Sequence, residues 1–254
     1  MVTLKLARNS EGTAEIFRSV QGEGRNVGRV RTFVRLSGCN LHCVWCDTAY
    51  TWNWEGSPWP HINDRPGAPR KFNAADEMIK HTIGEVADAV DAQPAEGVVI
   101  TGGEPLMQMG GVLALIGELK ARAPGLAVEI ETNGVIVPSA DLTDCVDLFM
   151  VSPKLGHSGN APEVALNPIS LAAFARLDKA VFKFVARDGG DIALIQDLAR
   201  QHGIAASRIY VMPEGTHSDV IIARGSKLIQ SVIDAGFNYT DRLHIHLFGE
   251  KRGV

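Results

Sequence analysis

The sequence predicts an α/β domain built on a parallel sheet. Three observations carry that expectation. Apolar, β-branched runs alternate along the chain with longer stretches of helical period. Those runs are nearly continuous in apolar residues instead of alternating, as parallel strands buried on both faces are. The 254 residues, 45% of them hydrophobic, suffice for one sizeable core.

The strand candidates, in order, are 29–38 (RVRTFVRLSG), 96–105 (EGVVITGGEP), 126–134 (LAVEIETNG), 146–154 (VDLFMVSPK), 180–187 (AVFKFVAR) and 207–215 (SRIYVMPEG). Helical patterns lie between and after them, at 74–92, 110–123, 169–178, 190–203 and 218–236. The six βα units read as one domain over 1–254, either a doubly wound sheet or an incomplete barrel. Both place ligands at the carboxyl ends of the strands. Residues 51–73, rich in Trp, Pro and Gly and without periodicity, form an insertion before the first helix. Such a loop reads equally as a lid or as a surface excursion packing its own aromatics.

The net charge of −4 argues against a general nucleic-acid binder. No run approaches the roughly 20 apolar residues of a membrane span. The start, MVTLKLARNSEG, lacks the apolar stretch of a secretory signal, so the expected compartment is the cytoplasm.

Three of the four cysteines, Cys39, Cys43 and Cys46, fall within eight residues as CxxxCxxC. A cytosolic chain of this size is kept reduced, so the trio reads as a metal site before a disulfide framework. Structural zinc wants four closed ligands and finds no obvious fourth here. A [4Fe–4S] cluster on three thiolates keeps one iron open for chemistry. Cys145 opens an apolar run and reads as a buried structural thiol. The other unusual motifs follow strands: TGGEP at 101–105, ETNG at 131–134, SPK at 152–154, Lys183 with Arg187, and Pro213-Glu214-Gly215. Each alone is ordinary turn chemistry; together they are a ring of polar groups on one face. The glycines of GGEP would let backbone approach a ligand closely.

The CxxxCxxC loop resembles that of the radical S-adenosylmethionine (SAM) enzymes. The segment QGEG at 21–24, with RLSGCNLHCVWCDT at 35–48, TGGEP, ETNG, SPK and the tail RLHIHLFGEKRGV, narrows the likeness to the 7-carboxy-7-deazaguanine synthases of queuosine and other 7-deazapurine biosynthesis. The resemblance spans nearly the whole chain. It implies a partial (βα)6 barrel with its site at the C-terminal ends of the strands. It also implies a lyase that converts 6-carboxy-5,6,7,8-tetrahydropterin to 7-carboxy-7-deazaguanine with ring contraction and loss of ammonia, SAM acting catalytically.

On this resemblance Cys39, Cys43 and Cys46 hold the [4Fe–4S] cluster. Trp45, Cys46, Asp47, Gly102, Gly103, Glu104, Glu131, Ser152, Pro153 and Lys154 surround SAM. Val20, Gln21, Gly22, Glu23, Arg35, Thr101, His246 and Val254 take the pterin. His246 is preferred over His244 because the tail is one residue shorter than the expected pattern. The residue types are compatible. Arg35, the one charge in FVRLSG, can grip a carboxylate with two bonds, and Gln21 with Glu23 can read an amino-pyrimidinone edge. Thr48 offers Mg2+ one oxygen, with substrate and water completing the shell. A flavodoxin-type electron donor and a homodimer are further family expectations. A glycyl-radical activating enzyme, or a zinc-binding or electron-transfer module, would share the cysteines but not QGEG and the tail.

Overall fold

The backbone alternates between strand and helix around one sheet, and the computed structural model describes it over residues 2–67 and 71–254. The strands are β1 (Thr3–Ala7), β2 (Ile16–Val20), β3 (Val30–Leu36), β4 (Met78–Thr82), β5 (Gly97–Gly102), β6 (Ala127–Thr132), β7 (Leu148–Val151), β8 (Ala180–Ala186), β9 (Ile209–Pro213) and β10 (Asn238–Tyr239). The helices are α1 (Ala74–Glu77), α2 (Ile83–Asp91), α3 (Met109–Arg122), α4 (Ala140–Cys145), α5 (Pro162–Ala165), α6 (Pro168–Ala175), α7 (Gly189–His202), α8 (Ser218–Asp234) and α9 (Leu243–Phe248). The sheet order is β10-β9-β8-β7-β6-β5-β3-β1-β4, with β2 also on β3. From β3 to β10 the neighbours are parallel, as the near-continuous apolar runs predict.

The other edge departs from the prediction. β1, β2 and β4 form an antiparallel flank. The expected helix 74–92 is split into α1, β4 and α2. Five residues of that stretch pair with β1 in register from Thr3↔Thr82 to Ala7↔Met78. A capping box restarts the helix: Glu85 N donates to Thr82 Oγ1 at 3.3 Å, and Thr82 N donates to Glu85 Oε2 at 2.7 Å. The N-terminal strand needed a partner, and tertiary pairing outweighed helical period.

The two faces of the sheet differ in kind. Side chains alternate across a strand. On β8, Phe182 and Phe184 join the main core under the helices with Phe149, Phe174, Ile100 and Ile130. On the opposite face Val181 packs with Leu148, Met150 and Tyr210, and Phe17 with Phe33 and Val99. That second face is also charged: Arg31 donates to Glu129 at 2.5 Å, with both side chains buried. Its upper rim carries the polar groups described next. No described helix is long and apolar enough to cross a membrane.

Candidate active site

The three-cysteine loop leaves β3 at Leu36 and is braced from three sides. Gly38 N donates to Thr51 O at 2.8 Å, closing the loop on its own exit. Val44 N donates to Ser158 O at 2.9 Å and His42 N to Asn160 Oδ1 at 2.9 Å, docking it on the segment after β7. The insertion covers its outer side. His61 Nε2 lies 2.9 Å from the Cys46 carbonyl, Ile62 N donates to Val44 O at 2.8 Å, and Trp59 stacks on His42 with ring centroids 4.1 Å apart. Within the described part of 51–73, only Trp52 lines the cleft. Residues 68–70 of that insertion lie outside the described residues.

One cleft at the C-terminal ends of β3, β5, β6, β7, β8 and β9 is lined by Cys39, Cys43 and Cys46 together with Trp45, Asp47, Thr48, Thr101, Gly102, Gly103, Glu131, Ser152 and Lys154. Val20, Gln21, Gly22, Glu23, Arg35 and Val254 line it as well. All four cysteines are free thiols. Burial pushes the Cys43 thiol up to about 11, against the pull of Lys154 and the Asn160 amide. Cys145 stands apart at the end of α4, half-buried, where it was expected to be fully buried.

GGEP answers to the protein's own backbone as much as to a ligand. Gly102 has φ +130°, and a Cβ there would lie 2.1 Å from the Leu36 carbonyl oxygen. A Cβ on Gly103 would lie 2.0 Å from the Gly38 carbonyl oxygen. These glycines let the β5 loop press against the start of the cysteine loop, where Gly103 N donates to Leu36 O at 3.0 Å and Glu104 N to Gly38 O at 2.8 Å. Glu104, expected beside SAM, is fully buried and turned away from the cleft. It accepts from Thr132 Oγ1 at 2.8 Å, Asn133 N at 2.7 Å and Leu106 N at 2.9 Å. It therefore ties the β5 loop to ETNG. Pro153 likewise does not line the cleft. Ser152 and Lys154 do, joined by an Nζ–Oγ bond of 2.8 Å, with Lys154 Nζ 5.9 Å from the Trp45 ring centroid.

The opposite half is a network of buried charge. Gln21 Nε2 donates to Glu131 Oε1 at 3.1 Å, and Thr101 Oγ1 donates to Glu131 Oε2 at 2.9 Å. Gln21 Oε1 accepts from Glu23 N at 3.1 Å. Glu131 is thus drawn to the QGEG side. Glu23 pairs with Lys183 and, at 2.9 Å, with Arg242 Nε. Burial alone would raise the Glu23 carboxyl, but Lys183 and Arg242 hold it well below the usual range. Arg242 also pairs with Asp47 and donates to Gly215 O at 2.6 Å, so it links three loops. Burial raises Asp47 too, and Arg242 more than offsets it.

The tail is placed by that link. Leu243 N donates to Gly22 O at 2.9 Å, and His244 lies against Gly22, where a Cβ would lie 2.0 Å from Nδ1. His244 lines the cleft, and His246, preferred from sequence, does not. Two residues apart on α9, they point to opposite sides. His246 lies 2.6 Å from Ser218 Oγ and 2.9 Å from Asp241 Oδ1. Beyond α9, Arg252 is held by Glu77 at 2.7 Å and lies 3.5 Å from the Tyr50 ring centroid. Tyr50 OH donates to Glu15, which also accepts from Arg35 Nε at 2.8 Å. Arg35 is therefore not a lone cation. Sequence alone does not show the roles of Arg242, Glu15, Tyr50 and Arg252, because each is defined by a partner distant in sequence. The one local signal was a buried-strand Lys, Lys183, between phenylalanines.

Comparison with known proteins agrees with the cysteine geometry. The family described as "4Fe-4S single cluster domain" matches residues 20–165. A "7-carboxy-7-deazaguanine synthase" from Pyrobaculum aerophilum is 36% identical over 241 residues, covering 94% of this chain and 95% of the relative. The chain belongs to the 7-carboxy-7-deazaguanine synthase family. A 7-carboxy-7-deazaguanine synthase from Rhodopirellula baltica is 33% identical and covers 98% of this chain and 91% of its own. The crystal structure of QueE from Escherichia coli superposes with a TM-score of 0.65 at 25% identity, over 94% of this chain and 95% of that one. As a 7-carboxy-7-deazaguanine synthase the chain is a radical-SAM enzyme with a [4Fe–4S] cluster. The local chemistry fits such a group. Three thiols line one cleft, and a side-chain amide, Asn160 Nδ2, lies 3.3 Å from Cys43 Sγ, as a donor to an anionic sulfur would.

Proposed function

We propose that this chain converts 6-carboxy-5,6,7,8-tetrahydropterin to 7-carboxy-7-deazaguanine with loss of ammonia, in the cytoplasm. One observation carries the reading: the cleft holding the three thiols is continuous with the Gln21–Glu131 and Glu23–Lys183–Arg242 network. Cys39, Cys43 and Cys46 would hold the cluster beside SAM, and the bound pair would supply one-electron, hydrogen-abstracting chemistry to the cleft.

The protein's part is to bind and orient. Cys39, Cys43 and Cys46 are the cluster ligands. Trp45, Gly102, Gly103, Ser152 and Lys154 form the SAM side. Gln21 and Glu23 face the amino-pyrimidinone, and the depressed carboxyl of Glu23 keeps it an acceptor of ring and amino N–H groups. Arg35 meets the substrate carboxylate through the guanidinium nitrogens beyond the one that Glu15 holds. His244 lies beside Glu23, its ring nitrogen 3.9 Å from Oε1. Burial lowers its pKa and so favours the neutral ring, which can both donate and accept. Thr48 starts the turn Ala49–Thr51 without capping it through its side chain, which supports a hydroxyl left for Mg2+.

The sheet is read as a partial barrel. Laid flat, β3 and β8 would stand about 19 Å apart across four strand spacings, yet Glu23, three residues past β2, pairs with Lys183 on β8. A flavodoxin-type donor and a homodimer complete the proposal.

The test is anaerobic: iron-loaded protein, SAM, Mg2+, a reductant and the carboxytetrahydropterin. Appearance of the deazapurine chromophore supports the activity. SAM cleavage without that product would exclude this substrate.

A further inference from the structure

The segment after β7 carries a contact with the cysteine loop that none of the family motifs includes. Its centre is the short turn Gly156–Ser158, followed by Gly159 and Asn160. Gly159 has φ +81°, and a Cβ there would lie 2.7 Å from Val44 Cγ1, so a glycine lets this turn sit against the Val44 side chain. Val44 N donates to Ser158 O at 2.9 Å beside it.

Asn160 completes the contact with its side chain. Its Oδ1 accepts from His42 N at 2.9 Å. A backbone N–H can only donate, so this bond fixes the amide orientation and leaves Nδ2 to face the other way. Nδ2 lies 3.3 Å from Cys43 Sγ and 3.1 Å from Ser158 Oγ. Across the cleft, Asn133 Nδ2 is 3.9 Å from Cys39 Sγ, a longer and weaker approach.

We propose that Asn160 is a positioning residue that sets the reduction potential of the cluster through a hydrogen bond to the Cys43 sulfur. The proposal rests on the reading of Cys43 as a cluster ligand. Reduction adds one negative charge, spread over irons and sulfurs. A donor to a ligand sulfur stabilises the reduced state more than the oxidised one and so raises the potential. Removing the donor should make the cluster harder to reduce.

The experiment uses the full chain, reconstituted anaerobically, without substrate. Wild type, Asn160→Ala and Asn160→Asp are compared for iron content and for the EPR-detected reduced fraction across a potential titration. Asn160→Asp keeps an oxygen to accept from His42 N while replacing the donor with a negative group. Both variants should retain about four irons per chain. At a fixed potential the reduced-to-oxidised ratio should fall several-fold in Asn160→Ala and about tenfold in Asn160→Asp; tenfold is 59 mV for a one-electron couple. Superimposable titrations with full iron would overturn the proposal. Loss of iron in both variants would overturn it as well, assigning Asn160 to holding the loop. Wild-type iron content, read in the same samples, tests the reading of Cys43 separately: a wild type that binds no iron would sink that reading.

Discussion

Arg242 donates from Nε to Glu23 Oε1 at 2.9 Å, joining two residues 219 positions apart and both almost out of solvent. Through the same guanidinium Arg242 holds Asp47 and the Gly215 carbonyl. The QGEG loop, the cysteine motif and the end of β9 are thus registered against one another by one side chain. The link between distant sequence and one cleft is physical here, since a carboxylate as buried as Glu23 persists only with its cations in place.

Arg242→Met should therefore destabilise the protein by about 3–5 kcal/mol, the scale for stripping one partner from a buried ion pair. Adding Glu23→Gln together with Lys183→Met should recover part of that loss, because neither Glu23 nor Lys183 is then left as a buried charge short of a partner. The pH dependence follows from the depressed Glu23 carboxyl. Its contribution is complete above the ordinary carboxylate value of 4.5 and is lost as pH falls through the folded-state value. The stability gap between wild type and Glu23→Gln should then be flat from neutrality to about pH 5 and narrow below it. Denaturant titrations across that range read both effects. A gap that widens on acidification would contradict the pairing.

What could be read from the sequence divides along one line. Six of the seven parallel strands were legible because both faces of each are covered, and RVRTFVRL or AVFKFVAR announces that through its own composition. β1 and β4 were not, because TLKLA and MIKHT are short, mixed segments whose strand state exists only as a mutual pairing. The site divides in the same way. Cys39, Cys43 and Cys46 carry their chemistry in local spacing. Arg242, Glu15 and Asn160 look like ordinary surface residues until folding supplies Glu23, Arg35 and Cys43 as partners. Three residues of the expected set, Glu104, Pro153 and His246, belong to recognisable segments but do not line the cleft, since a motif fixes backbone more firmly than it fixes which side chain faces a ligand.

Gly103→Ala should disturb the cysteine loop directly, because the added methyl would meet the Gly38 carbonyl at 2.0 Å and both partners are backbone. Gly110→Ala provides the contrast. It sits in the first turn of α3 with nothing within 4 Å of the new Cβ, and should be neutral or stabilising by up to about 1 kcal/mol. The two variants, compared by thermal unfolding and by iron content after reconstitution, should separate. Gly103→Ala lowers both quantities while Gly110→Ala keeps the iron. Full iron loading in Gly103→Ala would show that the β5 loop can yield.

Arg35→Lys tests the carboxylate grip. Glu15 accepts from Arg35 Nε and from Tyr50, so a lysine can keep a charge beside Glu15 but loses the planar fork that reaches past it. Cluster content and SAM binding should hold. Affinity for the carboxytetrahydropterin should drop by on the order of 1.5–3 kcal/mol, one charge-assisted bond. Calorimetric binding of the substrate to SAM-loaded protein measures this, and an unchanged dissociation constant would remove Arg35 from the substrate site.

Thr48→Ala tests the proposed place of Mg2+. The side chain could have been a simple cap of the turn Ala49–Thr51, but it makes no capping bond there, and the turn is closed instead by Thr51 N donating to the Thr48 carbonyl at 2.9 Å. The hydroxyl lies 3.5 Å from Cys46 Sγ and lines the cleft. A hydroxyl spared from backbone duty, beside a substrate that brings a carboxylate, suits an ion that takes one or two protein oxygens and fills its octahedron with substrate and water. Mg2+ should then bind with the substrate and not to the substrate-free enzyme. Thr48→Ala should flatten the Mg2+ dependence of turnover while SAM cleavage without substrate stays near the wild-type rate. Because the side chain caps nothing, the thermal midpoint should hardly move. Titrating activity against Mg2+ in both proteins, normalised to cluster-loaded chain, gives the answer. Coincident curves would take Thr48 out of the metal shell, and a large fall in the midpoint would return it to a structural role.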